Sequence, residues 1–204
     1  IFSRASLLVS DLGTRPMKIQ AQTFERLVLG QLYETTGVRE NQDILDHYIS
    51  VIEGKTGSLI AAAGEYGSLL AGASEEVIQM LATYGELVGV AFQLADDLID
   101  IVSDGASSGK TQGTDLREGV PTLPTILLNR AAEAGDESAR QVRTLIEADL
   151  SSDEALAAHP VTQEAWQIAY DWADRAIAAI APLPDSTAKA ALESFAHAVV
   201  HREG

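Results

Sequence analysis

Cysteine is absent from this 204-residue sequence, and basic residues are scarce. Without a thiol, the chain forms no disulfide, no thiolate zinc site and no cysteine nucleophile. This absence is typical of a reducing compartment, so we expect a cytoplasmic protein. The 14 lysines and arginines stand against 30 aspartates and glutamates, which gives a formal charge of -16. Nucleic-acid phosphates and anionic membrane surfaces would repel such a chain, so we expect neither as a partner.

Long apolar runs are also scarce. A membrane-spanning helix needs roughly 20 consecutive apolar residues, and Gly64, Glu65 and Gly67 interrupt the candidate segment 58–73. We therefore expect no stable membrane insertion. The opening residues are typical of a helix entered midway rather than of a signal peptide. We expect 1–204 to form one helical domain that lacks an upstream segment.

Apolar residues recur at helical spacing between the glycines, and the strict alternation of a strand is almost missing. This pattern predicts an all-α protein. In the stretch 151–160 an apparent helix meets Pro160 within two turns, an awkward arrangement that leaves open whether residues are missing there. The Gly- and Ser-rich segment 104–119 is predicted to be a loop. The predicted helices cover 1–12, 16–36, 41–53, 56–70, 74–103, 121–132, 137–147, 162–180 and 186–201.

An acidic stripe lies on the longest predicted helix. Asp96 and Asp100 are one turn apart, Asp97 lies beside them, and the surrounding residues are mostly apolar. Carboxylates crowded on an interior helix repel one another unless a cation neutralises them. Mg²⁺ prefers such oxygen ligands and commonly bridges one or two carboxylates to a substrate's phosphates. For this motif alone, a helix with one acidic face in water remains the alternative.

Two lysines beside glycines strengthen the metal hypothesis. Lys55 stands in the segment EGKTG (53–57), and Lys110 follows Gly109. Glycine has no side chain, so the backbone can come close to a bound anion there, and the ammonium group of lysine offers phosphate a compact positive charge. Two such lysines facing a metal-carboxylate cluster could hold a diphosphate from both sides. The segment before Lys110 is no Walker A loop, because Asp104 stands where that pattern requires glycine.

These segments together resemble the second aspartate-rich region of the trans-polyprenyl (isoprenyl) diphosphate synthases. The resemblance rests on FQLADDLID (92–100), GK (109–110), GTDLREG (113–119) and PTLP (121–124). The lysine–threonine step at 53–57 and the element GQLYE (30–34) resemble upstream features of the same family, in the same order. The resemblance covers about residues 1–130.

The resemblance implies an isoprenoid-synthase-type helical bundle around a central cavity, usually as a homodimer. It also implies a magnesium cofactor and two substrates, isopentenyl diphosphate and an allylic prenyl diphosphate. The residues that it implies are Asp96, Asp97 and Asp100 for the metal, and Lys55, Thr56, Gln93 and Lys110 for diphosphate binding and catalysis.

The activity implied is prenyl transfer, in which the two diphosphates condense head-to-tail through an Mg-assisted allylic carbocation to give a polyprenyl diphosphate. A terpene cyclase, a head-to-head synthase and a non-catalytic partner subunit are the alternatives. The family's first aspartate-rich region and its basic segments precede the equivalent of Ile1, so we expect metal binding but little turnover from the isolated chain. Val120 replaces a second loop lysine of many relatives. The sequence leaves the product length open.

Overall fold

The computed structural model describes residues 2–102, 120–148 and 152–201. These residues form helices joined by short turns, with no strand among them, which confirms the predicted all-α class. The α-helices are α1 (Phe2–Ser10), α2 (Thr14–Thr36), α3 (Ile44–Ile52), α4 (Ser58–Leu70), α5 (Glu75–Val102), α6 (Leu123–Ala134), α7 (Glu137–Glu147), α8 (Ser152–Ala158), α9 (Pro160–Ala179) and α10 (Thr187–Val200), and a π-helical turn (Glu53–Gly57) joins α3 to α4.

Helix α5 is the centre of the fold. It packs mainly against α4 and α9, and Val88, Leu94 and Leu98 along its length are completely buried. By length and composition α5 could cross a membrane, unlike the segment 58–73 considered above. Half of its most apolar stretch is nevertheless buried against other helices, as is usual for a core helix. The predicted interior position of the acidic helix is therefore confirmed.

Glycines bring α5 and α2 into backbone contact with the π-helical turn. A Cβ atom on Gly89 of α5 would lie 2.6 Å from the Cα atom of Gly57. A Cβ atom on Gly54 would lie 3.1 Å from the Cα atom of Gly30 on α2. Both separations are shorter than the ordinary carbon–carbon contact of about 3.5–4.0 Å. Side chains of the turn consequently lie beside α5 and α2 at short range.

At two places where the sequence suggested an interruption, the structure is helical. The glycines of the segment 53–57 suggested a break between two helices, whereas the chain continues through it as the π-helical turn. The apparent helix of 151–160 is α8, and Pro160, which seemed to interrupt it, begins α9. Proline fits the first turn of a helix because its missing N–H has no partner there. The His159 imidazole caps α9 by accepting a hydrogen bond from the backbone N–H of Val161 at 3.3 Å.

Candidate active site

The π-helical turn carries Lys55 and Thr56. A π-helical turn contains more residues than the 3.6 of an α-helical turn, and such turns are frequent at functional sites. Here the turn is possible because Gly54 and Gly57 are buried against neighbouring backbones and need no space for a side chain. It projects Lys55 and Thr56 toward the space between α2, α3 and α5.

A cavity of about 320 Å³ opens at this place. Its apolar wall includes Ile44, Val51 and Ile52, and Val120 also lines it. The predicted site residues that line the cavity are Lys55, Thr56, Gln93 and Asp97. The structure thus brings four of the seven predicted residues to one cavity.

Hydrogen bonds connect three of these residues directly. The Thr56 hydroxyl donates to Gln93 Oε1 at 3.0 Å, and Gln93 Nε2 donates to Asp97 Oδ1 at 2.9 Å. The other carboxylate oxygen, Asp97 Oδ2, accepts a hydrogen bond from the Tyr48 hydroxyl at 2.6 Å. Asp97 is only 7% exposed, and a buried carboxylate requires hydrogen-bond donors of this kind.

Lys55 is held by a carboxylate at the rim of the same cavity. Its ammonium nitrogen lies 2.6 Å from Glu34 Oε2, and Gln31 Nε2 donates to the same oxygen at 3.0 Å. The Lys55 and Glu34 side chains are each about one-third exposed. An anionic ligand in the cavity would therefore compete with Glu34 for the lysine.

The acidic stripe differs in burial along its length. Asp97 is buried, whereas Asp96 and Asp100 are partly exposed. Within the described ranges, no three Asp, Glu, His or Cys side chains come together as a metal cluster. Mg²⁺ commonly takes only one or two protein carboxylates and completes its shell with water and substrate phosphate. The oxygen donors of the stripe fit such an ion, and the metal role of all three aspartates stays a prediction.

Lys110, the remaining predicted residue, lies outside the described residues. Its contact with diphosphate therefore also stays a prediction.

An ion pair fixes the π-helical turn to both neighbouring helices. Arg26 of α2 donates to Glu86 of α5 through two nitrogens, at 2.6 and 3.1 Å, and to the Glu53 carbonyl at 3.5 Å. Burial raises the pKa of the Glu53 carboxyl, and the negative charge of Glu86 raises it further, while Arg26 and Arg175 oppose the shift. The turn consequently carries a carboxyl that is more basic than usual.

Sequence reasoning missed Tyr48 and Glu34 as members of the site. Tyr48 resembled one more apolar member of the predicted helix 41–53, and its partner Asp97 lies 49 positions away. No local signal therefore marked Tyr48. Glu34 closes the GQLYE element, but its sequence separation of 21 residues from Lys55 gives no local indication that they pair.

Comparison with known proteins identifies the family. A family model for polyprenyl synthetase matches residues 1–160. The chain is 41% identical over its whole length to nonaprenyl diphosphate synthase of Mycobacterium tuberculosis and 34% identical to octaprenyl diphosphate synthase of Escherichia coli. It spans 62% and 64% of the lengths of these two relatives.

A solved structure agrees with the sequence comparison. The geranylgeranyl pyrophosphate synthase of Corynebacterium glutamicum, determined with calcium and isoprenyl diphosphate, superposes with a TM-score of 0.85 and 40% identity. The match covers 97% of this chain and 63% of that protein. The predicted isoprenoid-synthase-type bundle is therefore confirmed. The chain belongs to the polyprenyl synthetase family.

Proposed function

We propose that the polypeptide carrying this chain is a trans-polyprenyl diphosphate synthase. It condenses isopentenyl diphosphate head-to-tail with an allylic prenyl diphosphate. The allylic carbon–oxygen bond breaks, the double bond of isopentenyl diphosphate attacks the resulting cation, and diphosphate and a proton are released. The observation that carries the proposal is the convergence of Lys55, Thr56, Gln93 and Asp97 on one cavity with an apolar wall. A lysine and an amide suit a diphosphate, and the apolar wall suits a hydrocarbon chain. The family membership supports the same reaction class.

The cofactor proposed is Mg²⁺, bound at the acidic stripe, in which Asp96 and Asp100 are partly exposed and so accessible to the ion. Their carboxylate oxygens are the ligands that Mg²⁺ prefers. The calcium and isoprenyl diphosphate in the corynebacterial relative support a divalent cation beside a diphosphate. When bound, Mg²⁺ would neutralise charge that develops on the leaving diphosphate.

The chain's own residues supply the rest of the chemistry. Lys55, once released from Glu34, adds a positive charge beside the diphosphate. Gln93 presents an amide N–H to a phosphate oxygen, and Thr56 turns its hydroxyl oxygen toward the allylic cation. The apolar wall excludes water, which would otherwise trap that cation.

The partner proposed is a second copy of the same polypeptide, docked on the outer face of α2. Apolar side chains on this helix are exposed at helical spacing, namely Met17, Phe24, Val28 and Leu32. Exposed apolar residues aligned on one helical face are typical of an interface. The homodimer is what the family resemblance implies.

The function is tested by prenyl transfer with the whole polypeptide that carries this sequence. Labelled isopentenyl diphosphate is incubated with farnesyl diphosphate and Mg²⁺, and incorporation into longer prenyl chains is measured. We expect EDTA to abolish incorporation and Asp96→Asn to lower it about a hundredfold or more, since metal ions contribute several kcal/mol to such steps. Asp174→Asn, an exposed aspartate on α9, is the matched control and should leave the rate unchanged. A folded polypeptide that incorporates nothing with any allylic primer would refute the proposal and favour a cyclase or a partner subunit.

A further inference from the structure

Three hydrogen bonds form a continuous chain from α3 through α5 to the π-helical turn. Tyr48 donates to Asp97 at 2.6 Å, Gln93 donates to Asp97 at 2.9 Å, and Thr56 donates to Gln93 at 3.0 Å. All four residues line the cavity. The two end residues of this hydrogen-bond network, Tyr48 and Thr56, lie on either side of Lys55 in the sequence. The network therefore spans the cavity wall on which the reaction would take place.

The donor and the acceptor in each of these hydrogen bonds follow from the chemistry of the side chains. An ionised carboxylate accepts hydrogen bonds and donates none, so Asp97 requires the N–H end of the Gln93 amide. The carbonyl end of that amide then faces Thr56, whose hydroxyl must donate to it. Thr56 consequently keeps only acceptor capacity, which suits a cationic carbon. Gln93 keeps its second N–H, which suits a phosphate oxygen.

Tyr48 holds the Asp97 carboxylate, which in turn fixes the orientation of the Gln93 amide. Asp97 is 7% exposed and Tyr48 is also 7% exposed, so bulk water is a poor replacement for the tyrosine hydroxyl. A buried carboxylate that loses a donor bears a large part of its desolvation penalty, or it turns to find another partner. Either change would release Gln93 from its present orientation.

We infer that Tyr48 and Asp97 are positioning residues, which orient Gln93 and Thr56 toward the two ends of the breaking allylic carbon–oxygen bond. The inference rests on the proposed function. Within the acidic stripe it gives Asp97 a different task from Asp96 and Asp100. Asp97 orients the amide, and the two partly exposed aspartates would hold the metal ion.

The first test compares Tyr48→Phe with Tyr84→Phe in the whole polypeptide. The two tyrosines are matched, because the Tyr84 hydroxyl is also buried and donates at 2.6 Å, but to the backbone carbonyl of Leu192 away from the cavity. Both variants should lose stability. Only Tyr48→Phe should lower kcat, on the order of tenfold or more for the loss of a hydrogen bond to a charged group. Its KM for the allylic diphosphate should change much less. Equal kcat values in the two variants would overturn the inference.

The second test separates orientation from metal binding. Asn at position 97 keeps the shape of Asp97 but can also donate, so it permits the Gln93 amide to invert. We expect Asp97→Asn to lower kcat while the Mg²⁺ concentration for half-maximal activity stays within about twofold, since no ligand is lost. Asp96→Asn should raise that concentration about tenfold or more. A rise of the same size in both variants would make Asp97 a metal ligand and overturn the inference.

A third measurement does not depend on turnover. The side-chain amide resonance of Gln93 in protein labelled with [¹⁵N]glutamine, assigned with Gln93→Ala, should shift in Tyr48→Phe and stay in place in Tyr84→Phe. An unchanged resonance in Tyr48→Phe would refute the orienting role even if the wild-type polypeptide transferred no prenyl group. Failure of the proposed function and failure of this inference are thereby distinguished.

Discussion

Replacing Gly89 by alanine tests whether backbone contact between α5 and the π-helical turn creates the site. The added Cβ would lie 2.6 Å from Gly57 Cα, 3.0 Å from Gly57 N and 3.2 Å from the Thr56 carbonyl oxygen. All three are backbone atoms, so no side chain can rotate away. Since carbon atoms prefer a separation of about 3.5–4.0 Å, the turn and α5 must separate by about 1 Å.

The energetic cost of this separation can be bounded. Overpacking a close contact costs about 1–3 kcal/mol, and alanine returns about 0.5–1 kcal/mol through its better helix propensity. Because the contacted atoms are all backbone, the overpacking cost lies in the upper part of its range, about 2–3 kcal/mol, and the net loss is about 1–2.5 kcal/mol. With a urea dependence of about 2 kcal/mol per molar, this loss lowers the unfolding midpoint by about 0.5–1.2 M. The Thr56–Gln93 hydrogen bond, now 3.0 Å, would lengthen beyond bonding distance.

The assay is urea unfolding followed by circular dichroism, with prenyl transfer measured on the same preparations. Gly67→Ala on α4 is the matched control, because nothing lies within 4 Å of the Cβ that it would add. It should raise the midpoint, since alanine replaces glycine in an open helical position. If Gly89→Ala were as stable as the wild type and equally active, backbone contact at Gly57 would not determine the geometry of the site.

Three further predictions concern charge and assembly. Because burial raises the pKa of Glu53 above its usual value, the folded state binds the proton of the Glu53 carboxyl more tightly than the unfolded chain does. The resulting stability is present at acid pH and lost as pH rises through the raised value, so Glu53→Gln should flatten the dependence of the urea midpoint between pH 4 and pH 8. An unchanged slope would contradict this. Glu34→Gln should lower the KM for the allylic diphosphate by up to about fivefold, because a partly exposed ion pair with Lys55 is worth at most about 1 kcal/mol; a raised KM would mean that Glu34 orients the lysine instead. Val28→Asp should convert the proposed dimer to monomer in sedimentation velocity. Gln22→Asp, at an exposed position about 120° around α2 from Val28, should not, and a dimer in both variants would place the interface elsewhere.

Most of the helical framework was predictable because its signals are local. Apolar spacing and terminal residues define α7 (Glu137–Glu147) at the predicted bounds and α5 to within one residue of them at each end. The acidic stripe was visible for the same reason, since its carboxylates share one face of a helix. Helix existence and the choice of candidate residues therefore required no tertiary information.

The parts that were not predictable depend on contacts between distant segments. The two glycines in 53–57 are typical of a break between helices. Only their fit against Gly30 and Gly89 keeps the chain helical there. Tyr48 joins the site through a hydrogen bond to a residue 49 positions away. Pro160 resembled an interruption because nothing in its immediate neighbourhood distinguishes the end of one helix from the start of the next.

The π-helical turn also means that α3 and α4 are two segments of one helical path with different phases. A turn that contains one additional residue rotates all following side chains by about 100° relative to an uninterrupted α-helix. The upstream segment can therefore direct Tyr48 at the acidic stripe, while the downstream segment directs its small residues at α5. Removing one residue from 53–57 would bring the two segments back into phase and swing one of these faces away from its partner. The number of residues in this turn is consequently as constrained as their identity.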